Sequence, residues 1–385
     1  MKTLTTTEEL AEYCAYAAGF DYVTVDTEFL RERTYYSQLC LVQLAVAGDG
    51  NDDAVLVDPL SKDLSLAPLY ELFENQAIVK VFHAARQDLE IFQIDAGVLP
   101  KPLFDTQVAA MVCGFGEQVG YETLVRKIAK EAVDKSSRFT DWSRRPLTDA
   151  QQTYALADVT HLRTVYEFLS EQLRKTSREK WLREELEILG DPATYTVLPE
   201  NAWKRVKTRT TSGKFLAIIR ELARFREGYA QKNNVPRNRV FKDDAMVEIA
   251  STKPKTEQDL GRSRLLLREA RKGLIADGIL KAVQVGIDCP PEKAPKPDTS
   301  RDKLQVNPAL ADLLRVLLKA KTEQTGVAQK LVATSSDLDF IAAGHRDVAA
   351  LKGWRNEVFG QDALRLCRGE IALSAQGSAV KIVEV

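Results

Sequence analysis

Long apolar runs are missing from this 385-residue chain: no stretch approaches the roughly 18 apolar residues that a helix needs to cross a bilayer. The opening MKTLTTTEEL also lacks the basic-then-apolar profile of a secretory leader. Together these predict a cytoplasmic protein that does not engage membranes. Cysteine is sparse and scattered. Cys14, Cys40, Cys113, Cys289 and Cys367 form no CxxC pair, which argues against a disulfide framework or a zinc site and predicts reduced thiols. No strict repeat runs through the chain. What remains is ordinary globular material, 44% hydrophobic and 28% charged, long enough for two or three domains at about 100–200 residues each.

The net charge of −1 hides an asymmetry. Residues 204–287 hold 20 Lys and Arg against 9 Asp and Glu, an excess of +11, so the remainder carries −12. A basic module serving a polyanion, joined to an acidic module with another task, accounts for that split.

The pattern along the chain predicts a mixed sheet flanked by helices. Thr6 and Glu9 have capping-box spacing and open a helix that stops at Gly19. Three strand-like runs follow, DYVTVDTEFL, YYSQLCLVQLAVAG and DAVLVDP, close enough together for an antiparallel meander. APLYELFEN reads as a helix, IVKVFHA as a strand, and RQDLEIFQIDAG as a helix closed by Gly97. From Phe104 onward the pattern turns helical. RFTDWSRRPLT interrupts it before one long periodic run from Asp149 to about Leu189. Residues 208–287 alternate helices with basic loops, 289–303 is rich in proline and charge as a surface linker is, and 307–385 again read as helices.

Side chains in a strand alternate faces, so Asp26 and Glu28 in VTVDTEFL share one face a few ångströms apart. Like charges so placed need a proton, a basic side chain or a metal ion between them. Asp88 falls in the first turn of a helix, where a carboxylate also favours the dipole, so alone it reads equally well as a cap. Tyr154 and Asp158 project from one helical face at i and i+4; alone they read as a structural tyrosine beside a solvated aspartate.

In combination, a strand-borne D-x-E, a later aspartate and Y-x-x-x-D on a late helix resemble the DEDD exonucleases of the tyrosine-bearing subclass. The stretches DTEF, QLCLVQLA, HAARQDLE, FDTQVAA, RFTDWSRRPLT and YALADVTHL resemble the catalytic domain of the ribonuclease D family. The resemblance implies a ribonuclease H-like α/β fold and hydrolysis of phosphodiesters assisted by two divalent metal ions, Mg²⁺ or Mn²⁺, for which oxygen ligands are suited. It implies that Asp26 touches both ions, that Glu28 and Asp158 complete the shell of the first, and that Asp88 holds the second. Tyr154 would orient the attacking water; a phenol of ordinary pKa about 10 positions a proton better than it abstracts one. Phe29 and His83 are the candidates for contact with substrate, although both also read as core or structural residues. Asp105 in the F-D-T element is read as structural, Asp141 as a loop carboxylate and Asp149 as a helix cap.

Within 208–287, NRVFKDDAMVEIASTKPKTEQDL followed by GRSR resembles the HRDC domain, whose basic surface would bind phosphate backbones in a salt-dependent way. The segment from PALADLLRVLLKAK to LKGWRNEVFGQDALRL resembles a second domain of this type, with a packing and substrate-threading role. The expected organisation is an exonuclease domain over 1–203, an HRDC domain over 204–288, a linker over 289–305 and a second all-α bundle over 306–385. The expected activity is that of a monomeric 3′→5′ exoribonuclease acting on RNA with a free 3′ end, tRNA precursors above all. Two alternatives are a DNA-trimming exonuclease and a catalytically silent RNA-binding protein. The first lacks a following polymerase-like segment, and the second requires a damaged site, whereas all five positions are filled. Removing 204–385 is expected to spare hydrolysis of short strands and to weaken binding of structured RNA.

Overall fold

A computed structural model describes residues 2–48, 50, 53–134, 136–210, 212–296 and 305–385. The chain forms two compact units. One takes in the described residues of Met1–Glu28, Leu39–Thr194 and Asp302–Val385, the other those of Phe29–Gln38 and Tyr195–Arg301. This division differs from the expected one: the C-terminal segment groups with the exonuclease segment, and residues 195–203 group with the basic module. Of the expected linker, residues 297–304 lie outside the described residues.

The first unit is built on a six-stranded sheet of order β1-β4-β3-β2-β5-β6, with β1 Lys2–Leu4, β2 Tyr22–Leu30, β3 Gln38–Val46, β4 Ala54–Val57, β5 Val79–Phe82 and β6 Leu103–Asp105. β4 pairs antiparallel with β3, while β1 lies parallel to β4, and β5 parallel to both β2 and β6. The sheet is mixed, as the pattern of hairpin followed by helical crossovers predicts. Strands β1 and β6, of three residues each, are too short to leave a period in the sequence.

Helices α1 Thr7–Ala17, α2 Ala67–Glu74, α3 Arg86–Ala96, α4 Thr106–Val112, α5 Tyr121–Ile128, α6 Asp149–Lys175 and α7 Glu179–Leu189 surround this sheet. The Thr6/Glu9 capping box opens α1, and Gly97 closes α3 in the left-handed conformation at φ 69°. The expected run from Asp149 to Leu189 is two helices: α6 ends at Lys175 with Thr176 as its cap, and Ser177 takes φ 56°, which no helix continues through. Thr148, not Asp149, caps α6, accepting from the Gln151 N–H at 3.2 Å; Asp149 lies in the first turn.

The C-terminal segment is not all-α. After helices Pro308–Thr325, Gln329–Val332, Ser335–Ala342 and Gln361–Arg368 it ends in an antiparallel hairpin of β7 Ile371–Gln376 and β8 Ala379–Glu384. IALSAQ and AVKIVE alternate on either side of Gly377, which turns at φ 61°, so the period there is that of strands. The second unit is helical, its core gathered from Ile219, Leu222, Phe241, Met246, Ile249 and Ile279 among others. Among the described residues, no helix is long and apolar enough to cross a membrane.

Candidate active site

Two buried threonines lock the elements that carry the acids. Thr24 of β2 donates its hydroxyl hydrogen to the carbonyl oxygens of Ala45 on β3 and Val159 on α6, at 3.0 and 2.9 Å, which pins α6 against the strand beside Asp158. Thr27, between Asp26 and Glu28, donates to the Asp88 carboxylate at the start of α3. From the other side, Tyr121 of α5 donates to the carbonyls of Ala157 and Asp158, at 3.1 and 2.7 Å, and so holds the turn of α6 from which Asp158 projects.

As a result, carboxylate oxygens of Asp26, Glu28 and Asp158 lie within 4.8 Å of one another. Asp88 joins them electrostatically, its charge acting on Glu28 and that of Asp26 acting on it. The Tyr154 hydroxyl donates to Asp158, one helical turn along. Residues of β2 and α6 therefore converge, with Tyr154 beside Asp158 and Asp88 of α3 within electrostatic reach of Asp26 and Glu28.

The electrostatics of the cluster follow from its burial. Asp26 is pushed well above the usual carboxylate range, first by loss of solvent and then by the Asp158 charge. Glu28 is pushed up to about 10 by burial, then by Asp26, Asp158 and Asp88. Burial raises Asp158 to about 7, against the lowering effects of the Tyr154 hydroxyl and the Arg138 guanidinium. Asp88 rises by burial and by the charge of Asp26. Burial and the same carboxylates raise the Tyr154 phenol, so it keeps its proton at neutral pH. Such a set is short of positive charge, and its donors are all oxygen. It fits hard divalent cations and offers none of the sulfur or imidazole ligands that zinc prefers.

The remaining predicted residues separate. His83 sits outside the carboxylate group, its Nδ1 2.9 Å from the Thr106 hydroxyl and its ring 5.5 Å from that of Tyr121, a setting that a structural histidine explains. Phe29 is half-buried near the end of β2. Asp105 caps α4 and also accepts from the backbone N–H groups of Ala84 and Ala85, so it fixes the turn that leads to Asp88. Asp141 accepts from the N–H and hydroxyl of Ser143 in the loop before α6. Reasoning from sequence missed Tyr121, Thr27 and Trp142. Only Trp142 left a signal, as an isolated tryptophan in a polar loop; its ring packs 5.9 Å from that of Tyr154.

Fold and site together define a 3′→5′ exonuclease of the carboxylate-cluster class. A family model described as a 3′-5′ exonuclease matches residues 1–174, and one for the HRDC domain matches residues 215–283. The chain is 66% identical over 383 residues to a protein named ribonuclease D from Jannaschia sp. (strain CCS1), covering all of this chain and 99% of that one. It is 47% identical to the ribonuclease D of Granulibacter bethesdensis, over 99% of this chain and 96% of that one. The solved structure of Escherichia coli RNase D, described as an exoribonuclease involved in structured RNA processing, superposes with a TM-score of 0.83 at 27% identity, covering 96% of this chain and 98% of that one. The chain belongs to the ribonuclease D family and is a 3′→5′ exoribonuclease.

Proposed function

We propose that this exoribonuclease trims the 3′ ends of structured RNAs, tRNA precursors foremost, working as a cytoplasmic monomer and releasing nucleoside 5′-monophosphates one at a time. Asp26, Glu28, Asp88 and Asp158 are the residues that would hold two divalent cations, Mg²⁺ or Mn²⁺. When bound, such a pair supplies the Lewis acidity that activates water and stabilises the departing oxygen. In hydrolysis a water oxygen bonds to phosphorus as the bond to the 3′ oxygen of the preceding nucleotide breaks, and that oxygen leaves as the new 3′ hydroxyl. Tyr154, held protonated and aimed by Asp158, orients the incoming water through its hydroxyl and does not act as the base. Thr27 holds the Asp88 carboxylate through its hydroxyl.

The observation that carries this reading is the cluster of Asp26, Glu28 and Asp158, whose carboxylate oxygens lie within 4.8 Å of one another, with Asp88 and Tyr154 acting on it electrostatically. The basic residues of 204–288 would draw in the RNA backbone, with 306–385 as a second HRDC-like domain guiding it.

One experiment addresses substrate, ion and site together. The protein and its Asp26→Ala variant are incubated with labelled RNA and DNA of one sequence, with Mg²⁺ or with EDTA. RNA should be shortened from its 3′ end only with the ion present. Loss of Asp26 should lower turnover by about 10³-fold, equivalent to several kcal/mol of Lewis-acid stabilisation. Full activity in that variant would end the site assignment, and equal trimming of DNA would end the RNA preference.

A further inference from the structure

The loop between α5 and α6 is more firmly built than its polarity foretells. Arg145 grips Asp58 with Nε and Nη2, at 2.6 and 2.7 Å, and donates to the Cys40 and Trp142 carbonyls. Trp142 is 2% exposed, and Thr140 is tied to Gln151 in the first turn of α6 at 3.1 Å. Ser137 is buried, and its carbonyl accepts from both the N–H and the hydroxyl of Thr140. Between these anchors, Arg138 and Phe139 project outward. Phe139 is 91% exposed, the most exposed large apolar side chain among the described residues, and the Arg138 guanidinium lies over its ring at 5.3 Å. Core packing does not explain an exposed phenylalanine on a braced loop.

The position of this pair relative to the acids gives it a purpose. Trp142, which anchors the loop, packs against Tyr154, and the Arg138 charge acts on both Glu28 and Asp158. On the two-ion reading, four carboxylates are matched by two divalent cations, which leaves the substrate phosphodiester without a counter-charge. That group gains negative charge as the water attacks. A guanidinium is always protonated and presents a planar fork of donors to two phosphate oxygens.

We propose that Arg138 binds the non-bridging oxygens of the 3′-terminal phosphodiester and stabilises the charge that develops there, while the Phe139 ring holds the guanidinium plane in place. Arg138 is then a catalytic residue and Phe139 a positioning residue. The inference rests on the five-residue site, so Asp26→Asn is measured beside the new variants.

The test uses the full chain and two short oligoribonucleotides that differ only at the last linkage, one a natural phosphodiester and the other a neutral methylphosphonate. With EDTA present, fluorescence anisotropy should show that Arg138→Ala weakens binding of the natural oligonucleotide by about tenfold and leaves that of the neutral one unchanged. With Mg²⁺, turnover of the natural oligonucleotide should fall by roughly 10²–10³-fold, as for loss of one preorganised donor to a developing oxyanion. Arg138→Lys should recover part of this loss, since it keeps charge without the fork. Phe139→Ala should lower turnover less than Arg138→Ala, and Phe139→Tyr should restore it. Melting temperatures should match the parent, because both side chains are exposed. Equal weakening of both oligonucleotides, or unchanged turnover in Arg138→Ala, would overturn the assignment. If Asp26→Asn is inactive while Arg138→Ala equals the parent, only this inference fails; if Asp26→Asn stays active, the site itself is wrong.

Discussion

Glu28 lies two residues from Asp26 on one strand face, and its carboxyl group holds a proton up to about pH 10 because burial and three carboxylates disfavour its charge. In the unfolded chain the same side chain titrates near 4.3. Between those values the folded protein binds more protons than the unfolded one, so stability falls as pH rises. The contribution of Glu28 is complete below about pH 4 and is lost on the way to 10; that of Asp158 is lost through about 7. Divalent cations select the ionised carboxylates and therefore oppose this slope. In EDTA, the unfolding midpoint should decline between about pH 5 and 9 more steeply for the parent than for Glu28→Gln. Added Mg²⁺ or Mn²⁺ should stabilise the parent increasingly over the same range, by about 2.7 kcal/mol at a hundred times the dissociation constant. Identical slopes in chelator for parent and variant would contradict the account of the cluster.

At the scale of elements, β2 ends its course in the first unit at Glu28, and the next ten residues, Phe29–Gln38, belong to the second. Within that unit the Tyr35 hydroxyl donates to the fully buried Glu227 and accepts from Gln231 at 3.3 Å. Asn234 Oδ1 accepts from the N–H groups of both Tyr35 and Tyr36, each at 3.0 Å. The strand that carries two of the acids thus continues straight into a strap fastened to the helical unit. Tyr35→Phe would leave the buried carboxylate without its phenolic donor, a cost of about 1–3 kcal/mol. Denaturant unfolding followed by a probe in residues 195–296 should show this loss; an unchanged midpoint would mean that the hydroxyl contributes nothing. The strap also marks the limit of what the sequence discloses. Asp26 and Glu28 were legible because strand alternation is local, and Tyr154 and Asp158 because helical spacing is. Tyr35 meets Glu227 across 192 residues, which no local period announces. The break at Ser177 was hidden for another reason: the apolar spacing on either side fitted one helix well enough to mask a short interruption. The hairpin at 371–384 does alternate as strands do, but the helical pattern before it was carried through to the end of the chain.

For the molecule as a whole, the C-terminal segment is part of the structure that carries the site. Trp354 stacks on Trp181 of α7 at 4.9 Å, and Glu185, 8% exposed, accepts from the Trp354 indole N–H at 2.8 Å and from Arg355 at 2.6 Å. Arg178 donates to the Val112 and Thr325 carbonyls, and the Ala328 N–H donates to the Met111 carbonyl. Where these segments pass, a Cβ on Gly114 would stand 2.8 Å from the Gly326 oxygen, so the approach requires glycine. A chain cut at residue 203 would therefore bare Trp181 and leave Glu185 without either donor. That makes truncation a poor test of RNA binding, contrary to the expectation drawn from the sequence, and point variants are the better instrument. Glu185→Ala leaves a partly buried guanidinium and an indole N–H without their acceptor, and breaking a buried pair in this way costs about 3–5 kcal/mol. Arg355→Ala removes the charge from the other side. If the two act as one contact, the double variant should be more stable than the sum of the single losses predicts, by at least about 1 kcal/mol in chemical denaturation. Strict additivity would show that the ion pair does not fasten the C-terminal segment, and would leave that work to the stacked tryptophans.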